Sequence, residues 1–268
     1  MKRLIAACLL TLLSALPAAA AKCGGDFNTF LRAIGQEAQA KGVSAAIVNE
    51  SLAGLSADPK VMHFDRIQSR AFRREGSFDK FVSTRVTAGR IKRAKSLMKR
   101  HAPLLARVEA RFGVPKELIM AIWTMETDNG GGDMGKMSVL RTLATLAHDC
   151  RRTGLFQGEL IAAMQILQRG DLTKSDMVGA FAGEIGQTQF LPSSYIKYGV
   201  DFDGNRHVDL RHSVPDVLAS TANLLKVNGW HAGQPYGEGT PNFDIMREWN
   251  RSEIYRKALV LFAQRLSE

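Results

Sequence analysis

The sequence predicts a mainly α protein. Apolar residues recur at three- and four-residue steps through most of the chain. Alternating strand patterns are sparse, and glycine and proline fall mostly between the periodic segments. The chain has 268 residues, 45% of them hydrophobic, which is enough for a substantial core. A charged fraction of 23% is ordinary and excludes wholesale disorder.

The segments follow in order. Phe27, Phe30, Leu31 and Ile34 mark one helix; Gly42-Val43-Ser44 resets the pattern, and Ile47, Val48 and Leu52 mark a second. Ser56 to Ser77 is mixed, with a turn at Asp58-Pro59. Thr87 to Phe112 reads as a long basic helix that Pro103 divides, its Lys and Arg on a solvated face. Gly113-Val114-Pro115 separates it from a helix that is apolar nearly all round and closes on Glu126; such a helix is buried. Val139 to His148, Phe156 to Gln168, Pro215 to Val227 and Ser252 to Leu266 give further helices, and Asp176 to Phe181 a short one. Short hairpins are expected near the glycine-rich segments.

Met1-Lys2-Arg3, an apolar run from Leu4 to Leu16, Pro17 and four alanines read as a secretory signal peptide over residues 1–21. Roughly 13 apolar residues are too few to span a bilayer. The cut is expected after Ala20 or Ala21. Removing Lys2 and Arg3 takes the formal net charge from +10 to +8. A basic chain suits nucleic acid, anionic lipid or an acidic polymer, and export argues against nucleic acid. Of three cysteines, Cys8 leaves with the leader. Cys23 and Cys150 remain in an oxidising compartment, where one bridge is the expected state. It would contribute about 4–5 kcal/mol in the chain-entropy model; two separate thiols are the alternative.

Two stretches carry chemistry. Glu126, in Thr124-Met125-Glu126-Thr127-Asp128-Asn129-Gly130-Gly131-Gly132, ends a buried helix. Desolvation and the negative end of the helix dipole both favour its protonated form, as a general acid requires. The plain alternative is a surface cap. The segment from Gly179 to Tyr195, GAFAGEIGQTQFLPSSY, mixes small residues with the amides, hydroxyls and aromatics that hold sugars, here Gln189, Phe190, Ser193 and Tyr195. A structural glycine loop is the alternative there.

Glu126 in ETDNGG, then LATLAHDCRR, AGEIGQTQFLPSSY, YGVDFDG and Asn228-Gly229-Trp230, in this order, resemble the membrane-bound lytic murein transglycosylase B family of bacterial cell-wall enzymes. The resemblance runs from about Cys23 to the C-terminus. It implies a lysozyme-like, mainly helical catalytic domain over 22–268, with a helical N-terminal part (22–86) and a core (87–268). It also implies cleavage of the β-1,4 bond between N-acetylmuramic acid and N-acetylglucosamine, with a 1,6-anhydromuramic product. Glu126 falls on the single acid/base, and the chemistry requires no cofactor. Gln189 matches the glutamine facing the scissile sugar. Arg151 and Arg152 match paired arginines suited to muropeptide carboxylates. Trp249 and Tyr255 match groove aromatics, with a core role as the alternative. The implied partner is the peptidoglycan glycan strand, and the implied location is the periplasm.

The chain departs from the family pattern at Asn129 and its three glycines, at Ala180, where some relatives carry serine, and at Leu224, where some carry tyrosine. Asp201, Asp203, Asn205 and the His207 carbonyl resemble the start of a calcium loop, with Asp216 as a late acidic ligand. Arg206 stands where such loops carry glycine, and a bound cation is expected to be structural. Two other readings compete: a wall-binding homologue that has lost turnover, suggested by TDNGGG, and a basic nucleic-acid binder, suggested by charge alone.

Overall fold

The computed structural model describes residues 21–71 and 77–268. The expected leader lies outside the described residues except for Ala21. Thirteen α-helices are present among the described residues. They are α1 Phe27–Ala40, α2 Ala45–Leu52, α3 Pro59–Ala71, α4 Phe78–Arg85, α5 Ala88–Arg100, α6 Ala102–Phe112, α7 Lys116–Thr127, α8 Val139–His148, α9 Thr153–Arg169, α10 Pro192–Tyr198, α11 Val214–Val227, α12 Pro241–Ile245 and α13 Glu253–Ser267. Ser or Thr hydroxyls cap many of these starts, as at Ser44, Thr87, Ser138 and Ser252, each accepting a backbone N–H three residues on.

The central element is α7. Leu118 to Met125 are all buried, so the helix is enclosed on every side, as its composition predicts. Helices α5, α6, α11 and α13 surround it. A second group, α8, α9 and α10, joins the first where α10 packs on α11, and α1, α2 and α3 cover α8 and α9. The N-terminal helices therefore brace the second group, while α4 packs on α13. The basic segment divides at His101, with Pro103 in the first turn of α6.

Three expectations need correction. Asp176 to Phe181 is not a helix: a 3-10 turn at Lys174–Asp176 leads into strand β2, Val178–Gly179. Strand β2 pairs antiparallel with β1, Met137–Ser138, some forty residues earlier, so this ladder is not a local hairpin. A local return does form where Ile185 and Phe190 exchange backbone hydrogen bonds. Within the segment that begins at Ser56, Pro59–Ala71 forms a helix, α3. Helices α4 and α10 also form without a sequence signal that singles them out, because each is only two turns long.

Cys23 and Cys150 are joined, with Cα atoms 5.2 Å apart. Gly24 N–H donates to the His148 carbonyl beside them at 2.9 Å. Ala21 is buried; its N–H donates to the Glu37 carboxylate at 3.2 Å, and its carbonyl accepts from Gln157 at 2.5 Å. The chain start is thereby fixed to α1, α8 and α9. No helix of the described residues is long and apolar enough to cross a membrane.

Candidate active site

Glu126 occupies the last turn of α7 and lines a cleft of about 710 Å³. Beyond it the chain turns sharply. Asp128, Asn129 and Gly130 all take left-handed backbone, with φ of 51°, 63° and 75°. Such backbone is unfavourable for non-glycine residues, and side chains hold both here. The Asp128 carboxylate accepts from Arg90 Nε at 2.6 Å, and Asn129 Nδ2 donates to Thr124 Oγ1 at 2.9 Å. Arg90 also donates to the Thr124 and Arg85 carbonyls, tying α4 and α5 to the end of α7.

Gly130 has a steric reason. A Cβ there would stand 2.4 Å from Gln187 Oε1. Gln187 joins the walls of the cleft: its Oε1 accepts from Trp123 Nε1 at 2.9 Å, and its Nε2 donates to the Arg211 carbonyl at 2.8 Å. Thr127 Oγ1 donates to its carbonyl at 2.5 Å. The helix bearing Glu126 and the loop bearing Gln189 are thus hydrogen-bonded to each other.

Both polar contacts of Glu126 fall on one oxygen. Trp249 Nε1 donates to Oε1 at 3.0 Å, and Tyr255 OH donates to the same atom at 2.5 Å. Oε2 accepts no hydrogen bond from the described residues. Burial raises the Glu126 pKa above the ordinary carboxylate range. The Tyr255 and Trp249 hydrogen bonds oppose that shift, the Glu184 charge adds to it, and the Arg85 charge opposes it. The Tyr255 phenol is in turn pushed well up by burial and by the Glu126 charge, so it stays a donor. A proton on Glu126 therefore resides on Oε2, opposite the two donors.

The 179–195 segment forms another wall. Gln189 lines the cleft with φ of 56°, and its Nε2 donates to the Gly186 carbonyl at 2.8 Å. Phe190 lines it too, edge-on to Trp249 at 5.5 Å. Glu184 is a second carboxyl in the cleft, raised by burial, with Oε2 accepting from Ala182 N–H at 3.0 Å. Gly179 lets this loop close, since a Cβ there would meet the Glu184 carbonyl at 1.9 Å. Thr188 is buried at the cleft wall, and its Oγ1 has no hydrogen-bond partner among the described residues.

Other expected residues lie elsewhere. Ser193 turns away and donates to Glu159 at 2.7 Å; its neighbour Ser194 lines the cleft instead. Tyr195 is fully buried, with its OH on the Val208 carbonyl. Arg151 and Arg152 both pair with Asp65 of α3, a carboxylate only 2% exposed, and neither lines the cleft. A nearly buried carboxylate requires counter-charge, and it has drawn both arginines. Among the described lining residues the one guanidinium is Arg85. Arg85, Glu184 and Glu248 were not singled out from the sequence. Glu184 sits inside the quoted loop motif, so a titratable group amid small residues was the available signal.

The acidic loop after α10 is closed by its own carboxylates. Asp201 accepts from Gly204, Asn205 and Arg206 N–H groups, and Asp203 accepts from Ser213 Oγ. Asn205 Oδ1 accepts from His207 N–H. Asp216, fully buried, accepts from Phe202 at 2.8 Å and Asp209 at 2.9 Å. Asp201, Asp203 and Asp216 each bring a carboxylate oxygen within 4.8 Å of the others.

The chain is 41% identical over 123 residues to the membrane-bound lytic murein transglycosylase B of Escherichia coli, a match covering 46% of this chain. The match spans about a third (34%) of that relative's length. The structure superposes on SltB3 of Pseudomonas aeruginosa, solved in complex with NAG-anhNAM-pentapeptide, with a TM-score of 0.83 and 31% identity. That alignment covers 91% of this chain and 80% of SltB3. It also superposes on the E. coli lytic transglycosylase Slt35 solved with calcium, with a TM-score of 0.79 and 24% identity over 92% and 96% of the two chains. Residues 26–240 match the Transglycosylase SLT domain model, and the chain belongs to that family.

Proposed function

We propose that this protein is a peptidoglycan lytic transglycosylase, cleaving the β-1,4 bond between N-acetylmuramic acid and N-acetylglucosamine and releasing a 1,6-anhydromuramic end. One observation carries the reading: a half-buried Glu126 with both hydrogen bonds on Oε1 and Oε2 left for a substrate in the cleft. The likeness to SltB3, solved with a NAG-anhNAM-pentapeptide, supports it.

The chemistry follows from that asymmetry. Glu126 gives its Oε2 proton to the glycosidic oxygen as the bond to the anomeric carbon breaks. The carboxylate that forms is stabilised by Tyr255 and Trp249, whose hydrogen bonds strengthen as charge develops. The substrate's own N-acetyl oxygen stabilises the cationic anomeric carbon, so no second carboxylate nucleophile is needed. Glu126 then removes the proton of the C6 hydroxyl, whose oxygen bonds to the anomeric carbon. The nucleophile belongs to the same sugar, and its high effective molarity outcompetes water. Gln189, Phe190 and Ser194 hold the sugar rings. Product analysis after Glu126→Gln substitution tests the assignment.

The acidic loop suits a hard divalent cation such as calcium. Its donors are carboxylate and carbonyl oxygens, and the buried Asp216 carboxyl is raised by burial and by the nearby Asp203 charge. Asp201, Asp203, Asn205, the His207 carbonyl and Asp216 would hold it, and its charge would offset the acids. Its role is structural. The protein acts in the periplasm on glycan strands after removal of its leader.

A further inference from the structure

The α5–α13 surface carries another concavity, of about 540 Å³, separate from the cleft. Lys92, Lys95 and Lys99 of α5 line one side and Arg265 of α13 the other, with Ile91 contributing apolar surface. The lysines lie at three- and four-residue steps, so they share one helix face over about 10 Å. Among the described residues none of the three forms an ion pair. The one acid in the groove, Glu268, pairs with Arg265 at 3.2 Å. Three uncompensated ammonium groups around a concave, partly apolar floor repel one another, and nothing in the fold uses them.

The geometry points to a binding groove for an acidic peptide, which on the proposed function is the stem peptide of a glycan strand other than the one being cleaved. This rests on that reading for the ligand's identity. Concavity selects a peptide over a membrane: a bilayer is flat and is met by a protruding basic face. Charge selects an acidic peptide, since carboxylates answer ammonium groups. The apolar floor around Ile91 suits aliphatic side chains, as alanine-rich peptides present. The groove is distant from the acid in sequence and in the fold: Tyr255 marks the cleft end of α13, and Arg265 lies ten residues further along it, about 15 Å. Occupying it would keep the enzyme on the wall between cleavage events.

The test is a Lys92→Gln, Lys95→Gln, Lys99→Gln variant of the full chain, with folding checked by circular dichroism. Binding is measured by co-sedimentation with intact sacculi, with sacculi stripped of peptides by an amidase, and with vesicles of phosphatidylglycerol. Turnover is measured on short peptide-free glycans. The expected result is about tenfold weaker binding to intact sacculi at low salt, three exposed charge pairs being lost. Binding to stripped sacculi and turnover of short glycans should not change. Equal binding of wild type and variant to intact sacculi would overturn the proposal. So would wild-type binding that ignores peptide removal, or a loss confined to vesicles. Should the triple variant misfold, Lys95→Gln alone must still weaken sacculus binding. A wild type that forms no anhydro product from short glycans would refute the enzymatic reading instead, which separates the two failures.

Discussion

Tyr255 donates a 2.5 Å hydrogen bond to Oε1 of Glu126, the same oxygen that accepts from Trp249. The acid is therefore two-faced, with one oxygen held by the protein and the other left for the substrate. Burial favours the neutral form before the reaction, and the two donors favour the anion after proton transfer.

Removing one donor should slow the chemical step. Tyr255→Phe is expected to lower kcat by about ten- to a hundredfold, the range for a hydrogen bond to a charged group, with KM little changed. The lost contact lowers the Glu126 pKa in the native enzyme, so the alkaline limb of the kcat profile should move to higher pH. Steady-state kinetics across pH on a soluble glycan read both effects. An unchanged kcat would remove Tyr255 from the mechanism.

Two cleft charges should move that limb in opposite directions. The Glu184 charge raises the Glu126 pKa, so Glu184→Gln should bring the limb to lower pH. The Arg85 charge lowers it, so Arg85→Gln should carry the limb to higher pH. The general acid works below its pKa, hence activity at alkaline pH falls in the first variant and rises in the second. Shifts of the same sign in both would contradict this electrostatic account.

Calcium should stabilise the acidic loop. Adding calcium to chelator-treated protein is expected to raise Tm in a concentration-dependent way. Asp216→Asn should abolish that rise, because it removes charge from the buried donor. Thermal melts with calcium and with magnesium check the claim, magnesium fitting a flexible carbonyl-containing loop less well.

The buried position of Ala21 bears on the proposed removal of a leader. A cut after Ala20 places a new α-ammonium where the Ala21 N–H now meets Glu37, and that carboxylate already pairs with Lys41 at 2.8 Å. A cut after Ala21 would empty a buried site and orphan Gln157, whose amide donates to the Ala21 carbonyl. Intact mass of the protein recovered from the periplasm is expected to match a chain starting at Ala21. A mass starting at Lys22 would contradict this.

The long helices were legible because their apolar faces repeat over three or more turns, and α7 declared its burial by having no polar face. Glu126 and Gln189 were legible from ordered motifs, and Trp249 and Tyr255 from their place after them. Helices α4 and α10 were hidden because two turns give too little periodicity to read. Arg85 was hidden with α4, since only packing on α13 brings that segment to the cleft. Ser193 and Ser194 are adjacent and chemically identical, so no local pattern tells which faces the cleft. Asp65 sits more than eighty residues before the arginines it holds, a pairing that exists only in three dimensions.

The most direct test is product analysis on purified peptidoglycan with wild type and Glu126→Gln. The wild type should release 1,6-anhydro-muropeptides, identified by mass spectrometry. The variant should release none while keeping its fold. A carboxyl whose folded pKa is raised is destabilising once ionised, with stability lost as pH rises through the unfolded and then the folded pKa. The variant's Tm at neutral pH should therefore equal or exceed that of the wild type. Anhydro product from the variant, or reducing-end products from the wild type, would contradict the account.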